Sequence, residues 1–265
     1  MKYDKDNIVV LGNGFLGQAF ERRGYYVTDR SIFDYPLIGN AHIDQLSELP
    51  ISTKVIINTI AYTNTKSAEN DINKCLRLNM QLPRILSSYC DEVECKFVHI
   101  STGCVYQHSH VYGKYTENSP LSVYISSKLL GDKMCGPNDL IIRPRLLFGS
   151  FNHKNNLLTK LKGFDSFLDE QNSITSVDTI IDSIEALLNS NRSGIYNVAQ
   201  TGTISMHEIA KYMYNGDIKY ASYGNMKQSF NLISPNIELD ISKLKEDYIP
   251  SNVHDEIKYC LSELK

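Results

Sequence analysis

A tyrosine and a lysine one helical turn apart, Tyr124 and Lys128, are the residues whose types and spacing point most directly to chemistry. They stand at the start of a predicted helix, where positions i and i+4 share one face. A cation beside a phenol favours the phenolate and lowers a pKa that is normally about 10. Such a tyrosine can give a proton to a carbonyl oxygen while a hydride reaches the carbonyl carbon. Thr102, at the end of the preceding predicted strand, can offer a second hydroxyl to the same oxygen.

The first element that must position this pair is a glycine-rich turn at residues 11–17, at the end of the first apolar run. Glycines allow a tight strand-to-helix turn and let backbone N–H groups approach a diphosphate at the positive end of a helix dipole. Its place on the first strand of an alternating pattern favours a dinucleotide site over an ordinary turn. The candidate contacts in this turn are Gly12, Asn13, Gly14, Phe15, Leu16 and Gly17. Tyr124 and Lys128 would also contact the bound cofactor, the lysine through the nicotinamide ribose.

Residues 29–31, at the end of the second predicted strand, bear on which dinucleotide binds. Asp29 would hold the ribose hydroxyls of NAD, whereas Arg30 and Ser31 would suit the additional phosphate of NADP. We favour NADPH because Arg30 and Ser31 offer two adjacent donors, and NADH is the alternative. Asp44, in a predicted loop, is a further candidate for a contact near the adenine.

Short apolar runs alternate with stretches of helical spacing from the N-terminus to about residue 148. The runs predict buried parallel strands at 8–11, 55–58, 97–100 and 140–142, with helical spacing at 75–86 and 124–134. This alternation predicts an α/β fold built on a doubly wound parallel (Rossmann) sheet. We expect a dinucleotide-binding domain over 1–150 and a smaller C-terminal substrate-binding lobe over 151–265, some of whose elements return to pack on the sheet. The lobe pattern predicts helices within 177–188, 206–214 and 253–264, and a strand at 195–198.

The composition argues against several function classes. Lys+Arg 27 against Asp+Glu 30 gives a net charge of −3, without the basic excess of a nucleic-acid binder. No apolar stretch approaches the ~18 residues of a membrane span, and the polar, acidic start does not resemble a signal peptide. The cysteines, 6 in number and scattered, predict a reducing, cytoplasmic environment. His108 and His110 have no further ligands at useful spacing, so we predict no metal site.

Several segments together carry a family resemblance. The glycine turn with Thr102, Tyr124 and Lys128 resembles the extended short-chain dehydrogenase/reductases. Residues 58–69, with 78–79 and Pro83, resemble dTDP-4-dehydrorhamnose reductases. The segments similar to the bifunctional nucleotide-rhamnose synthase/epimerase-reductases are 102–106, 156–160, 172–175, 194–197 and 204–209. One departure is Leu11, which stands where many extended members carry another glycine.

The resemblance implies reduction of a UDP- or dTDP-linked 4-keto-6-deoxy sugar, with the proton supplied by Tyr124. It places Ala61 and Tyr62 beside the cofactor. The implied substrate contacts are Thr102, Asn79, Arg145, Asn156 and Lys160. Arg143 is a further cation for the diphosphates of substrate and cofactor.

Epimerisation is the second reaction that the resemblance implies. Carbons 3 and 5 flank the ketone, so their protons are acidic, and inversion needs a base on one face and an acid on the other. Cys104 and Lys160 fall at the positions that the bifunctional relatives use for this. The alternative for Cys104 is a small buried hydrophobic residue, as for most free cysteines.

Three alternative functions remain open at this stage. The chain could be a 4-reductase without epimerase activity, or an enzyme similar to GDP-fucose synthases, in which His153 would partner Cys104. It could also be a non-catalytic regulatory subunit of the same fold. In each enzymatic case we expect a separate 4,6-dehydratase to supply the nucleotide-sugar substrate. By analogy, helices around 70–89 and 123–135 would pair in a homodimer.

Overall fold

The computed structural model describes residues 3–28, 46, 49–65, 67–106, 122–214, 218–221 and 237–264. Several residues of the sequence analysis lie outside the described residues, namely Asp29, Arg30, Ser31, Asp44, His108 and His110. The choice between NADP and NAD, which depends on the first three, therefore stays a prediction.

Ten strands lie in the described residues. They are β1 (Ile8–Leu11), β2 (Tyr26–Thr28), β3 (Val55–Asn58), β4 (Lys96–Ile100), β5 (Leu140–Pro144), β6 (Leu147–Phe148), β7 (Phe167–Leu168), β8 (Thr175–Ser176), β9 (Gly194–Val198) and β10 (Tyr220–Ala221). Six of them form one sheet in the order β2-β1-β3-β4-β5-β9, and β10-β7 and β6-β8 form two small pairs. In the large sheet, β1 pairs in parallel with β2 and β3, and β4 with β3 and β5. The predicted α/β fold with a parallel Rossmann sheet is confirmed.

The helices are spaced along the chain between these strands. They are α1 (Phe15–Arg22), α2 (Ile72–Leu76), α3 (Leu82–Glu92), α4 (Val123–Met134), α5 (Leu157–Leu161), α6 (Val177–Asn189), α7 (Met206–Met213) and α8 (Val253–Glu263). Where the sequence predicts one helix over 75–86, a π-helical turn at Arg77–Gln81 joins α2 to α3. Among the helices that the structure describes, none is both long and apolar enough to cross a membrane.

Burial explains why the apolar runs become strands. Every residue of β1, β3 and β5 is buried, as expected for parallel strands covered on both faces. Polar residues immediately before the helices act as caps: the Ser122 side chain accepts a hydrogen bond from the Ile125 N–H, and Ser205 with Glu208 forms a capping box on α7. The caps fix where α4 and α7 begin.

The chain forms two compact units. The first comprises the described residues up to Thr102, then 122–143 and 184–196, and the second comprises 103–106, 144–183 and the described residues from 197 onward. We expected one boundary near residue 150, with later elements returning to the sheet. The chain passes between the units several times, and β9, which follows residues of the second unit, is the last strand of the large sheet. The boundary near residue 150 stays a prediction.

Each unit has its own apolar core. In the first, residues of β1, β3 and β4 pack with α3, including Val9, Ile56, Leu82, Leu86 and Phe97. In the second, the core residues come from β6, α5, α7 and α8, and they include Phe148, Leu158, Ile209, Val253 and Ile257.

A close helix contact within the first unit gives a test of this packing. A Cβ at Gly131 of α4 would lie 2.0 Å from the backbone oxygen of Asn79 in the π-helical turn. We expect Gly131→Ala to force α4 outward and to lower the free energy of unfolding by about 1–3 kcal/mol, measured by urea denaturation. Gly136→Ala is the control, since its Cβ would meet its nearest atoms at 3.6 Å. Equal stability of the two variants would contradict the packing described.

Candidate active site

The glycine turn has the backbone geometry that a diphosphate cradle needs. Gly12 has φ +98°, a conformation that favours glycine, and its N–H donates to the Thr28 carbonyl oxygen at 3.1 Å. A Cβ at Gly17 would lie 1.9 Å from the Gly12 carbonyl oxygen, whereas a Cβ at Gly14 would meet no atom within 4 Å. Gly17 thus permits close packing of α1 on the turn, and Gly14 leaves space at the helix N-terminus.

The remaining residues of the turn differ in how deeply they are buried. Asn13 is exposed, while Phe15 and Leu16 are 5% and 6% exposed and pack in the core. As cofactor contacts, Phe15 and Leu16 could therefore offer only their backbone N–H groups. Leu11 is fully buried in β1, so the cradle begins at Gly12. These residues fit a dinucleotide diphosphate bound by backbone N–H groups at the start of α1.

Thr59 closes the same turn from the carboxyl end of β3. Its hydroxyl donates to the carbonyl oxygens of Leu11 at 2.8 Å and Gly12 at 2.9 Å. Sequence reasoning missed this residue as a support of the turn. Its position directly after an apolar strand was the available signal, because parallel strands end at one edge of a sheet.

Asn79, for which the resemblance implied a substrate contact, is held by buried hydrogen bonds. It is fully buried, its side-chain oxygen accepts from the Tyr62 N–H at 2.8 Å, and its amide donates to the Tyr62 carbonyl oxygen at 3.1 Å and to the Ser127 hydroxyl at 2.9 Å. The Ser127 hydroxyl donates in turn to the Tyr124 carbonyl oxygen at 2.7 Å. Asn79 therefore ties the loop after β3, which carries Ala61 and Tyr62, to the first turn of α4.

The predicted tyrosine and lysine lie where the sequence placed them, in α4. Tyr124 is 9% exposed in the first helical turn, and Thr102, just after β4, is 6% exposed. Lys128 is 1% exposed, and its ammonium donates to the Ile100 carbonyl oxygen at 2.7 Å. Burial lowers the pKa of Lys128 to about 8, an effect that the nearby Asp132 opposes.

A buried charge network beside Lys128 was not foreseen. Arg143 donates to Asp132 Oδ2 from Nη2 at 2.7 Å and from Nε at 3.0 Å. Its candidacy for a diphosphate stays a prediction. His99 Nε2 lies 4.0 Å from Asp132 Oδ1. Burial and the Lys128 charge hold the pKa of His99 well below its usual value, so the ring is neutral near pH 7. The interpretation of His99 as a core residue agrees with its full burial.

In the second unit, Cys104 lies in the 3₁₀ turn Gly103–Val105, directly after Thr102 and Gly103 in the chain. Arg145 Nη1 donates to Cys104 Sγ at 3.3 Å, and Arg145 Nη2 donates to the Asn172 side-chain oxygen at 2.8 Å. Arg145 is 4% exposed. The structure thus brings together two predicted residues, Cys104 and Arg145, through a contact that the sequence did not indicate.

Asn156, for which the resemblance implied a substrate contact, makes buried hydrogen bonds at the start of α5. It is fully buried, caps α5 by accepting from the Leu158 N–H at 3.1 Å, and donates to the carbonyl oxygens of Gly149 and Phe151 at 2.8 Å each. Lys160 lies in the last turn of α5, where partial desolvation lowers the pKa of its ammonium. His153 Nδ1 accepts from the Asn155 N–H at 3.0 Å.

Comparison with known proteins gives this arrangement its class. A doubly wound sheet, a glycine cradle and a Tyr–Lys pair on one helix define a dinucleotide-binding protein of the short-chain dehydrogenase/reductase type. Residues 8–229 match the model of the RmlD substrate binding domain. The chain therefore belongs to this family of extended short-chain dehydrogenase/reductases, as the sequence resemblance predicted.

Individual relatives have low sequence identity to this chain. The chain is 25% identical over 261 residues to the trifunctional UDP-glucose 4,6-dehydratase/UDP-4-keto-6-deoxy-D-glucose 3,5-epimerase/UDP-4-keto-L-rhamnose-reductase of Arabidopsis thaliana, a match that covers 89% of this chain and 38% of that protein. The chain thus spans less than half the length of that relative.

Solved structures agree on the fold. The dTDP-4-dehydrorhamnose reductase of Bacillus anthracis, in complex with NADP, has a TM-score of 0.81 at 21% identity, covering 97% of this chain and 99% of that one. The UDP-rhamnose synthase of Acanthamoeba polyphaga mimivirus has a TM-score of 0.77 at 18% identity, with the same coverage of 97% and 99%.

The buried lysine generates a prediction about pH. The pKa of Lys128 is about 8 in the folded protein against 10.5 ordinarily, so between these values the unfolded chain binds more protons and this group makes stability rise with pH. The slope has an upper limit of about 1.4 kcal/mol per pH unit. Lys128→Met lacks this gain in stability. The free energy of unfolding of the variant minus that of the wild type should therefore decrease as the pH rises from about 8 to about 10.

Urea denaturation of both proteins across this range measures the difference. Lys133→Met, on the exposed face of the same helix, is the control and should differ from wild type by a constant amount. A difference that is also constant for Lys128→Met would show that burial does not disfavour the charge.

Proposed function

We propose that this chain is an NADPH-dependent reductase of a nucleotide-linked 4-keto-6-deoxy sugar that also epimerises C3 and C5, forming UDP- or dTDP-L-rhamnose. The observation that carries the proposal is the placement of Tyr124, Lys128 and Thr102 at the carboxyl end of β4 and in the first turns of α4, within a unit that also holds the glycine cradle. Family membership and the printed activities of the relatives support the substrate class.

Gly12, Asn13, Gly14 and Gly17 would form the diphosphate cradle for the dinucleotide, with Lys128 at its ribose. NADPH, when bound, supplies the hydride that reduces the C4 ketone. The B. anthracis neighbour is a complex with NADP, which supports a nicotinamide cofactor.

Tyr124 is the proton donor to the C4 oxygen in this proposal. As negative charge develops on that oxygen, the phenol O–H bond breaks and a new O–H bond forms on the sugar. The Lys128 ammonium stabilises the resulting phenolate, and Thr102 donates a hydrogen bond to the same sugar oxygen. The Ile100 carbonyl, 2.7 Å from Lys128 Nζ, orients the ammonium.

Cys104 and Lys160 supply the acid and base for epimerisation. The ketone acidifies the protons on C3 and C5, and a base on one face with an acid on the other inverts each centre. The lowered pKa of Lys160 eases proton release from its ammonium near neutral pH. A separate 4,6-dehydratase would make the ketone substrate.

The proton donor is tested by Tyr124→Phe. Loss of the phenol hydroxyl removes the acid, so kcat for ketone-dependent NADPH oxidation should fall by about 10²–10⁴. NADPH binding, followed by fluorescence, should persist because the variant keeps the glycine cradle. Tyr26→Phe, at an exposed position of β2, is the control and should retain activity. Unchanged turnover in Tyr124→Phe would refute the assignment.

The epimerase activity is tested by solvent deuterium. Incubated with the 4-keto-6-deoxy-glucose nucleotide in deuterium oxide without NADPH, the wild type should incorporate deuterium at C3 and C5, detected by NMR. Cys104→Ser should lose this incorporation by at least about 10²-fold yet reduce the epimerised ketone. Cys95→Ser, a half-buried thiol of the first unit, is the matched control. A wild type that reduces the epimerised ketone but incorporates no deuterium would be a 4-reductase only.

A further inference from the structure

Arg145 is held in place from several directions within the second unit. It directly follows β5, and its backbone N–H donates to the Thr175 hydroxyl at 3.0 Å, which itself donates to the Val198 carbonyl oxygen at 2.7 Å. Its guanidinium reaches Cys104 Sγ with one nitrogen and the Asn172 side-chain oxygen with another. A side chain that is 4% exposed and bonded at both ends has little freedom to turn.

Asn172, the second partner of this guanidinium, is itself fixed. Its backbone exchanges two hydrogen bonds of 3.1 Å with Ile204, and its side-chain amide donates to the Glu170 carbonyl oxygen at 2.9 Å. The Ile237 N–H donates at 3.3 Å to Asn172 Oδ1, the side-chain oxygen that also accepts from Arg145. The amide orientation is therefore set by the surrounding backbone, and the side-chain oxygen faces Arg145.

In the contact between Arg145 and Cys104, the guanidinium is the donor and the sulfur is the acceptor. A guanidinium carries a permanent positive charge and only donates hydrogen bonds, so it can meet sulfur only through the sulfur lone pairs. A cation in that position favours the thiolate over the thiol, and the thiolate is the form that can accept a proton. An arginine with a fixed second partner is a pre-organised support for this sulfur.

We propose that Arg145 is a positioning residue for epimerisation, which holds the Cys104 sulfur in place and sets a positive charge beside this proton acceptor, and that it is not a ligand of the substrate diphosphate. The inference rests on the proposed function of this site. It reassigns Arg145, for which the sequence resemblance implied substrate binding. Arg145 is 4% exposed, and two of its guanidinium nitrogens already donate to Cys104 and Asn172.

The proton transfer balances without any further reagent. The C–H bond beside the ketone breaks, an S–H bond forms on Cys104, and the electron pair moves to the C4 oxygen as an enolate. Return of a proton from Lys160 to the opposite face of that carbon restores the ketone with inverted configuration. Exchange of the S–H proton and of the lysine proton with water resets both groups and carries solvent deuterium into the sugar.

Arg145→Met and Arg145→Lys separate this role from substrate binding. In Arg145→Met we expect deuterium incorporation at C3 and C5 to fall at least about 10²-fold, while NADPH-dependent reduction of the epimerised ketone stays within about threefold of wild type. The rate of Cys104 alkylation by iodoacetamide at neutral pH should fall about tenfold, because the reacting sulfur has lost the positive charge beside it. Arg145→Lys keeps the charge and should recover part of both losses.

Several controls make the result interpretable. Lys211→Met, on the exposed face of α7, removes one positive charge from the same unit and should change none of the three rates. Cys104→Ser identifies the alkylated residue by mass spectrometry. Circular dichroism and thermal melting establish that each variant is folded.

Two outcomes would overturn the proposal. If Arg145→Met weakened UDP binding in calorimetry at least tenfold and left deuterium incorporation intact, Arg145 would be a diphosphate ligand. If alkylation of Cys104 were as fast in Arg145→Met as in wild type, the guanidinium would not support the reactivity of this sulfur. The alkylation assay needs no substrate, so a wild type that neither reduces nor exchanges any ketone would refute the proposed function separately.

Discussion

The site in the first unit depends on burying one ammonium group against the end of a strand. Lys128 is 1% exposed and donates to the Ile100 carbonyl oxygen, so its charge is compensated by a backbone dipole and by the nearby Asp132. Burying a charge without such partners would be strongly unfavourable. The contact also fixes α4 relative to β4, and therefore fixes Tyr124 relative to Thr102.

The surrounding polar groups maintain this arrangement. Asp132 is held by two hydrogen bonds from Arg143, and Asn79 connects the loop after β3 to the backbone of Tyr124 through Ser127. A buried polar network stabilises a single geometry only when its members are bonded to one another. Positioning here comes from the buried side chains of Asp132, Asn79 and Ser127.

The sequence predicted the strands and helices whose residue pattern repeats. It did not predict which partner a buried polar side chain bonds to. Apolar runs located β1, β3, β4 and β5, because strands covered on both faces must be apolar throughout. Helical spacing placed Tyr124 and Lys128 on α4. By contrast, the buried hydrogen bonds of Asn79 and Asn156 were not predicted, since an amide in a family motif looks the same whether it caps a helix or binds a ligand. The Cys104–Arg145 contact joins residues far apart in the chain, and no local pattern encodes it.

The order of the strands has a consequence for how the protein is made. β9 is the last strand of the large sheet in the chain and lies beside β5, which the ribosome delivers more than fifty residues earlier. Until β9 emerges, the β5 edge has unpaired backbone groups that can pair with other nascent chains. Contacts of such long sequence separation also slow folding. Synthesis of this chain therefore includes an interval in which a half-made sheet is open to aggregation, and in which a chaperone that covers exposed edges would raise the yield.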